Sequence, residues 1–350
     1  MSPSRNDTEN IAKSVAELTR EYAERGYFPS ASIRVFDREH TLYQSVLGDV
    51  APDTVYDVAS LTKIAVATIA LILMEKGFFR LQDEIADCLP LLRKDTLLRE
   101  RLSGVTLERL LTHTSGIVDW YPFYTESGDF YQALHTALSR CGPVEGMVYS
   151  DLNFMLLGKA IESAAGMPLD RCLQKLLTAP LDLGKISYLP NPLWDIAPSS
   201  YGNPIEEAMC AERGFSYSGW RSHEPVRGGV NDGNAFYFFG GVAGSAGIFA
   251  EPLAYQRLCQ FHMNTDSPLM LAAQQERAPG RGLGWQMGPM YPDGCGHTGF
   301  TGTSVYFSRK LNIGAVAFTN RLFYQKPNPN PTNDFRRALH ETLASICKPD

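Results

Sequence analysis

Two serines in this 350-residue chain stand three positions before a lysine, Ser60–Lys63 and Ser345–Lys348. On a helix, residues at that spacing share a face. The amine can then handle the hydroxyl's proton, which is what turns a serine into a nucleophile. The bare pattern arises by chance at this length, and context separates the two. Ser345 lies in the C-terminal tail and reads as coincidence. Ser60 opens the most apolar run of the chain, Ile64–Met74. A helix starting there aims N–H groups and the positive end of its dipole at the serine. The plainer alternative is a helix-capping serine followed by a lysine that reaches to solvent. This segment alone does not decide between them.

Other chemistries lack their signatures. No serine has glycine at both −2 and +2, so the strand-to-helix nucleophile elbow is missing. There is no Walker A loop, no His-Glu-x-x-His and no EF-hand loop. The seven cysteines, at 88, 141, 172, 210, 259, 295 and 347, include no Cys-x-x-Cys pair. That pattern suits free thiols in a reducing cytosol better than disulfides or a zinc site. No metal and no organic cofactor are expected. A formal net charge of −6 argues against a nucleic-acid partner, which calls for a basic stripe. The charged N-terminus carries no secretory h-region, and no apolar run approaches the ~20 residues a membrane span needs. The expectation is a cytoplasmic chain with no membrane partner and undefined oligomeric state.

The elements that must position Ser60 are legible in outline. Ile11, Val15, Leu18 and Tyr22 mark a helix over 8–25. The runs Ala31–Phe36 and Thr41–Val46, around a polar turn, read as an antiparallel hairpin. A helix over Ser60–Lys76 ends at Gly77. Residues 80–180 look mostly helical, and 185–245 form long irregular connections. Strand signals return at Thr303–Phe307 and Ile313–Phe318, before a last helix over 334–346. The expected fold is a two-lobe α/β module spanning 1–350. Its α/β lobe, about 1–58 and 275–350, has an antiparallel sheet flanked by terminal helices. Its helical lobe covers about 59–274, with the site between the lobes.

Five segments then appear in order. They are Asp57-Val-Ala-Ser60-Leu-Thr-Lys63, Leu110-Leu-Thr-His113-Thr-Ser-Gly116, Tyr149-Ser-Asp151, the glycine-rich run from Gly240 to Gly247, and His297-Thr-Gly299-Phe-Thr-Gly302. Together they resemble the serine β-lactamase and penicillin-binding-protein superfamily, and within it the esterase-like branch related to class C β-lactamases. The resemblance implies Ser60 as the acyl-accepting nucleophile and Lys63 as its proton-handling partner. Tyr149 would share the base role, and one of these two groups would need a depressed pKa. His297-Thr298-Gly299 would lie on the strand lining the site, with the backbone N–H groups of Ser60 and Phe300 as the oxyanion hole. A second tyrosine, Tyr201 of Tyr201-Gly-Asn203, competes with Tyr149. Pro204 restricts Asn203 away from helical geometry, whereas a helical run follows Tyr149.

Two departures bear on substrate. Asp151 stands where the family commonly has Asn, and an ionised carboxylate can only accept hydrogen bonds. His297 stands where Lys is common, and histidine is mostly neutral at pH 7. Both disfavour carboxylate-bearing amides, and a lysine at 297 would restore attraction for anions. Of the aromatic run after the His113 loop, Trp120 and Tyr121 are candidates to wall an acyl group, with core packing as the alternative for Trp120, Tyr121, Phe123 and Tyr124. His113 reads as a structural residue that holds its loop, and Cys295 as a buried thiol. The expected activity is hydrolysis of a small ester or amide through an acyl-enzyme on Ser60, with a small-molecule acyl substrate. The rivals are a D-amino-acid or D-alanyl peptidase with weak β-lactamase activity, and a non-catalytic ligand-capture module.

Overall fold

A computed structural model describes residues 3–331 and 333–348. Its larger sheet is fully antiparallel. In chain order its strands are β1 (Ala31–Phe36), β2 (Thr41–Leu47), β6 (Cys295–Thr298), β7 (Ser304–Ser308) and β8 (Ile313–Thr319), arranged in space as β2-β1-β8-β7-β6. The two hairpins from opposite ends of the chain thus join through β1 and β8, with Ala31 opposite Thr319 and Phe36 opposite Gly314.

Side chains alternate across a strand, and β8 shows what that does here. Ile313, Ala315 and Ala317 pack with Ile11, Val15, Leu339 and Leu343 of the terminal helices, Arg5–Glu24 and Asp334–Cys347. Val316 and Phe318 point the other way, into the main core. Both faces are covered, so β1 and β8 are buried along their whole length. Each large apolar side chain removed from water there contributes roughly 1.5–3 kcal/mol. Edge strand β2 is only partly buried.

The helix Pro252–Asn264 lies on the inner face, with Tyr255 and Leu258 in the same core as Phe318 and Val316. It falls within the stretch that the sequence reading placed in the helical lobe. The Tyr255 hydroxyl donates to the Leu61 carbonyl at 2.9 Å, tying sheet cover to nucleophile turn. Behind it runs the helix Thr62–Glu75, buried at every position from Thr62 to Leu71. A helix that is apolar all round belongs in the interior.

A smaller antiparallel sheet, in spatial order β3-β5-β4, comprises β3 (Tyr56–Asp57), β4 (Ile186–Tyr188) and β5 (Ile248–Ala250). These strands are too short to give a periodic signal. Their place matters because β3 leads directly into the Ser60 turn. Among the described residues no helix is long and apolar enough to cross a membrane.

Candidate active site

Ser60 does not cap the apolar helix. It sits on a preceding 3₁₀ turn, Ala59–Leu61, and makes no capping bond. The turn is strained, because Ala59 has φ +47°. A non-glycine residue in that region costs on the order of 1–3 kcal/mol and persists only where its surroundings hold it. Asp57 accepts the Ala59 N–H at 2.9 Å and the Asn231 N–H at 2.7 Å. Thr301 and Thr303 donate to the carbonyls of Asp57 and Val58, both at 2.9 Å. Gly299 is required at its position, since a Cβ there would sit 2.5 Å from the Val58 carbonyl oxygen. The segment after β6 is therefore clamped against the nucleophile turn.

Lys63 is completely buried, and its ammonium meets three acceptors. Nζ lies 2.9 Å from Ser60 Oγ, 2.9 Å from the Ser245 carbonyl and 2.7 Å from Asp151 Oδ1. An ammonium has three protons to give, and all three have acceptors. Burial pushes the lysine pKa down, but the Asp151 carboxylate and the Tyr149 phenol outweigh burial and raise it. Lys63 therefore moves opposite to the depression expected of a lysine base.

Tyr149 precedes the helix Asp151–Ala165. Its ring lies 5.0 Å from Lys63 Nζ and 5.0 Å from the Arg281 guanidinium. His113 backs it, ring to ring at 4.5 Å, and accepts the Ser150 N–H on Nδ1 at 3.0 Å. Burial, then Arg281 and Lys63, hold the His113 pKa well below its ordinary value. The structural role read for His113 thus includes the Tyr149 loop itself. Asn203 is held outside helical geometry, with φ −123° and ψ 45°, yet a helix does begin after Tyr201, at Pro204, with the proline in its first turn. That position needs no N–H and suits proline's fixed φ. Tyr201 nonetheless stacks on Phe323 at 4.8 Å, whereas Tyr149 is the tyrosine that touches Lys63.

The backbone N–H groups of Ser60 and Phe300 have no acceptor within the described chain. Both residues stand where two chambers meet. The larger, about 530 Å³, is walled by Ser60, Trp120, Asp151, Tyr201, Glu206 and Asp232 among others. The smaller, about 280 Å³, is walled by Ser60, Tyr149, Arg281, Thr298, Gly299 and Arg336 among others.

A profile of the Beta-lactamase family matches residues 15–339. The chain belongs to the Beta-lactamase family. Among its relatives, an Escherichia coli (strain K12) protein provisionally named a D-alanyl-D-alanine carboxypeptidase is 28% identical, over 77% of this chain and 69% of that protein. A Bacillus subtilis (strain 168) protein named N-acetylmuramyl-L-alanine amidase is 26% identical, over 79% and 71%. Among solved structures, a class C β-lactamase superposes with TM-score 0.72 at 20% identity, covering 97% of this chain and 98% of that one. EstCE1, a hydrolase with promiscuous acyltransferase activity, gives 0.70 at 16%, covering 97% and 100%. These superpositions show the β-lactamase/transpeptidase-like fold, and the family makes the chain a serine hydrolase.

In this β-lactamase-family site, Ser60, Lys63, Tyr149 and Asp151 come together. Trp120 walls the larger chamber, and Thr298 and Gly299 the smaller. Two residues fall elsewhere. Tyr121 is fully buried in the main core, its hydroxyl 2.5 Å from Glu126 Oε1, and lines neither chamber. Its ring packs edge-on against Phe123 at 6.0 Å and Phe215 at 5.0 Å. His297 is also buried and lines neither chamber, its ring 6.0 Å from that of Tyr149 and its Nδ1 donating to the Thr298 carbonyl at 2.9 Å. Burial, then Arg281 and Lys63, keep it neutral. Cys295 is buried, and burial raises its thiol pKa, as befits an inert residue. Ser345 lies exposed on the last helix and bonds only the Thr342 carbonyl, at 2.8 Å.

Sequence reasoning missed Arg281, Glu206 and Asp232. Arg281 lies in an irregular glycine-rich stretch with no motif of its own. Glu206 and Asp232 come from the long connections between 185 and 245, where only the fold brings them to Ser60.

Proposed function

We propose that this hydrolase releases a leaving group ending in a carboxylate, as the last residue of a D-alanyl-terminated peptide does, through an acyl-enzyme on Ser60. The observation that carries the reading is Arg281. Its guanidinium faces the chamber beside Ser60 over the Tyr149 ring, and its side chain has no hydrogen bond or ion pair among the described residues. Neutral His297 supplies no positive charge there, and Arg281 supplies it instead. Two opposite charges ~4 Å apart gain about 4 kcal/mol at an effective dielectric near 20, before desolvation is subtracted. The name carried by the Escherichia coli relative agrees with this reading.

In this mechanism Ser60 Oγ attacks the acyl carbonyl. The proton passes to the oxygen of Tyr149, whose ring is flanked by Lys63 and Arg281. Lys63 orients the hydroxyl as a donor. The developing oxyanion is met by the N–H groups of Ser60 and Phe300, a device typically worth ~10²–10³ in rate per donor. The leaving group departs with the proton from Tyr149, and water then hydrolyses the ester on Ser60.

The second reading is a small neutral ester, favoured by the neutrality of His297 and by the fold shared with EstCE1. One comparison separates them. A peptide ending in D-alanine and its C-terminal methyl ester are offered to the parent and to Arg281→Leu. The carboxylate reading requires the parent to prefer the free acid and the variant to lose that preference. A parent that prefers the methyl ester supports the second reading.

A further inference from the structure

The Gly299 carbonyl and the Phe300 N–H belong to one peptide unit. That unit is planar and trans, so the two groups point in opposite directions. Phe300 stands where the two chambers meet, and its N–H has no acceptor among the described residues. Whatever fixes the carbonyl therefore aims the N–H. The glycine does little to fix it, because its own backbone torsions are permissive.

The carbonyl is held from behind by Arg336. This residue lies in the first turn of the helix Asp334–Cys347 and is only 3% exposed. Its Nη2 donates both to the Gly299 carbonyl and, at 2.9 Å, to the Thr303 carbonyl. Its Nη1 donates to Asn333 Oδ1 at 2.9 Å. The Gly302 N–H also donates to the Gly299 oxygen, at 3.2 Å, so both lone pairs of that oxygen are engaged. The Gly299 N–H closes the turn on the Thr303 carbonyl at 2.7 Å. Arg336 forms no salt bridge among the described residues. A buried cation without a counter-ion is costly, and here its donors are spent on the carbonyls of one turn. The two oxyanion donors are therefore unequal. Behind the Ser60 N–H, the Ala59 carbonyl accepts the neutral Thr62 N–H. Behind the Phe300 N–H stands a guanidinium.

We propose that Arg336 is a positioning residue of the oxyanion hole, orienting and polarising the Gly299–Phe300 peptide so that its N–H becomes a stronger donor than an ordinary amide. This rests on Ser60 as the nucleophile and on the Phe300 N–H as an oxyanion donor. Hydrogen bonds in a chain polarise one another, and a charged donor gives the stronger bond. Arg336 acts through the peptide and touches no reacting atom.

Arg336 also borders the smaller chamber, so the test uses a substrate with no carboxylate to bind there. The probes are p-nitrophenyl acetate and its thiono analogue, in which C=S replaces the reacting C=O. Sulfur accepts hydrogen bonds weakly, so a strong oxyanion donor favours the oxo ester. Arg336→Met should lower the oxo-to-thiono ratio of kcat/KM about tenfold, a part of the ~10²–10³ that a whole donor is worth. Arg336→Lys keeps the charge without the planar fork, and its ratio should fall between parent and Arg336→Met. Lost packing alone slows both esters alike and leaves the ratio in place. Should Arg336→Met fail to fold, Arg336→Lys must still lower the ratio. Oxo-ester turnover undiminished in Ser60→Ala, or a parent ratio no greater than that of hydroxide with the same pair, overturns the reading on which the inference rests. A raised parent ratio that the folded Arg336 variants leave unmoved overturns the inference and leaves the oxyanion hole standing.

Discussion

Lys63 Nζ and Asp151 Oδ1 lie 2.7 Å apart, one side chain wholly buried and the other 21% exposed. The pair fixes the protonation state of the residue closest to the nucleophile. Removing one partner of a buried ion pair typically costs 3–5 kcal/mol, and the partial exposure of Asp151 places this one near the lower end, at about 3 kcal/mol. Urea denaturation of Asp151→Asn measures it. The lysine pKa is raised in the folded state. Its contribution to stability is therefore complete below the unfolded value near 10.4 and is lost only as pH rises through the folded value. That share of the parent's stability should stay flat from pH 6 to pH 9, whereas in Asp151→Asn, where burial lowers the lysine pKa, the deficit should narrow as pH rises toward 9.

The same substitution should move the pH–rate profile. Without the carboxylate, burial pulls the Lys63 pKa down, and the amine becomes able to take the Ser60 proton. The alkaline rise of kcat/KM should shift to lower pH in Asp151→Asn. An unmoved profile would show that Asp151 does not govern the proton path.

Tyr149→Phe and Lys63→Ala should each slow acylation strongly, because both act on the one proton of Ser60. Groups that share a step are not additive. The double variant should be little slower than the worse single one, as read by single-turnover acylation rates. Losses that multiply would place the two residues in separate steps.

The reach of the sequence can be judged from these same residues. The hairpin at Ala31–Phe36, the closing strands and both terminal helices follow from periodicity, because each buries a regular face. Ser60, Lys63 and Tyr149 come from ordered local motifs. Arg281 could not be found that way, since it reaches Tyr149 across 132 residues of chain and has no motif around it. His297 shows the opposite failure. The motif places it on the right strand, yet the pleat of β6 turns its ring inward and leaves Thr298 facing the chamber.

That burial reverses one expectation. A lysine at 297 would put an ammonium where no solvent reaches, among Arg281 and Lys63. His297→Lys should lower the unfolding midpoint, and it should not raise kcat/KM for anionic substrates selectively. Differential scanning calorimetry beside a free-acid and methyl-ester pair checks both parts.

Gly299→Ala should fail at the nucleophile turn. A methyl 2.5 Å from the Val58 oxygen must push the Phe300 N–H out of line with Ser60. The expected loss is on the order of 10²–10³ in kcat, comparable to removing one oxyanion donor. Parent-like kcat in a correctly folded Gly299→Ala would separate the clamp from the oxyanion hole.

Every step above depends on Ser60 carrying the acyl group. The most direct test is intact-mass measurement after exposure to a fluorophosphonate serine probe, followed by peptide mapping. One added label is expected, on the peptide containing Ser60, and it should be lost in Ser60→Ala although that variant remains folded. A label on any other residue, or undiminished labelling of Ser60→Ala, would contradict it.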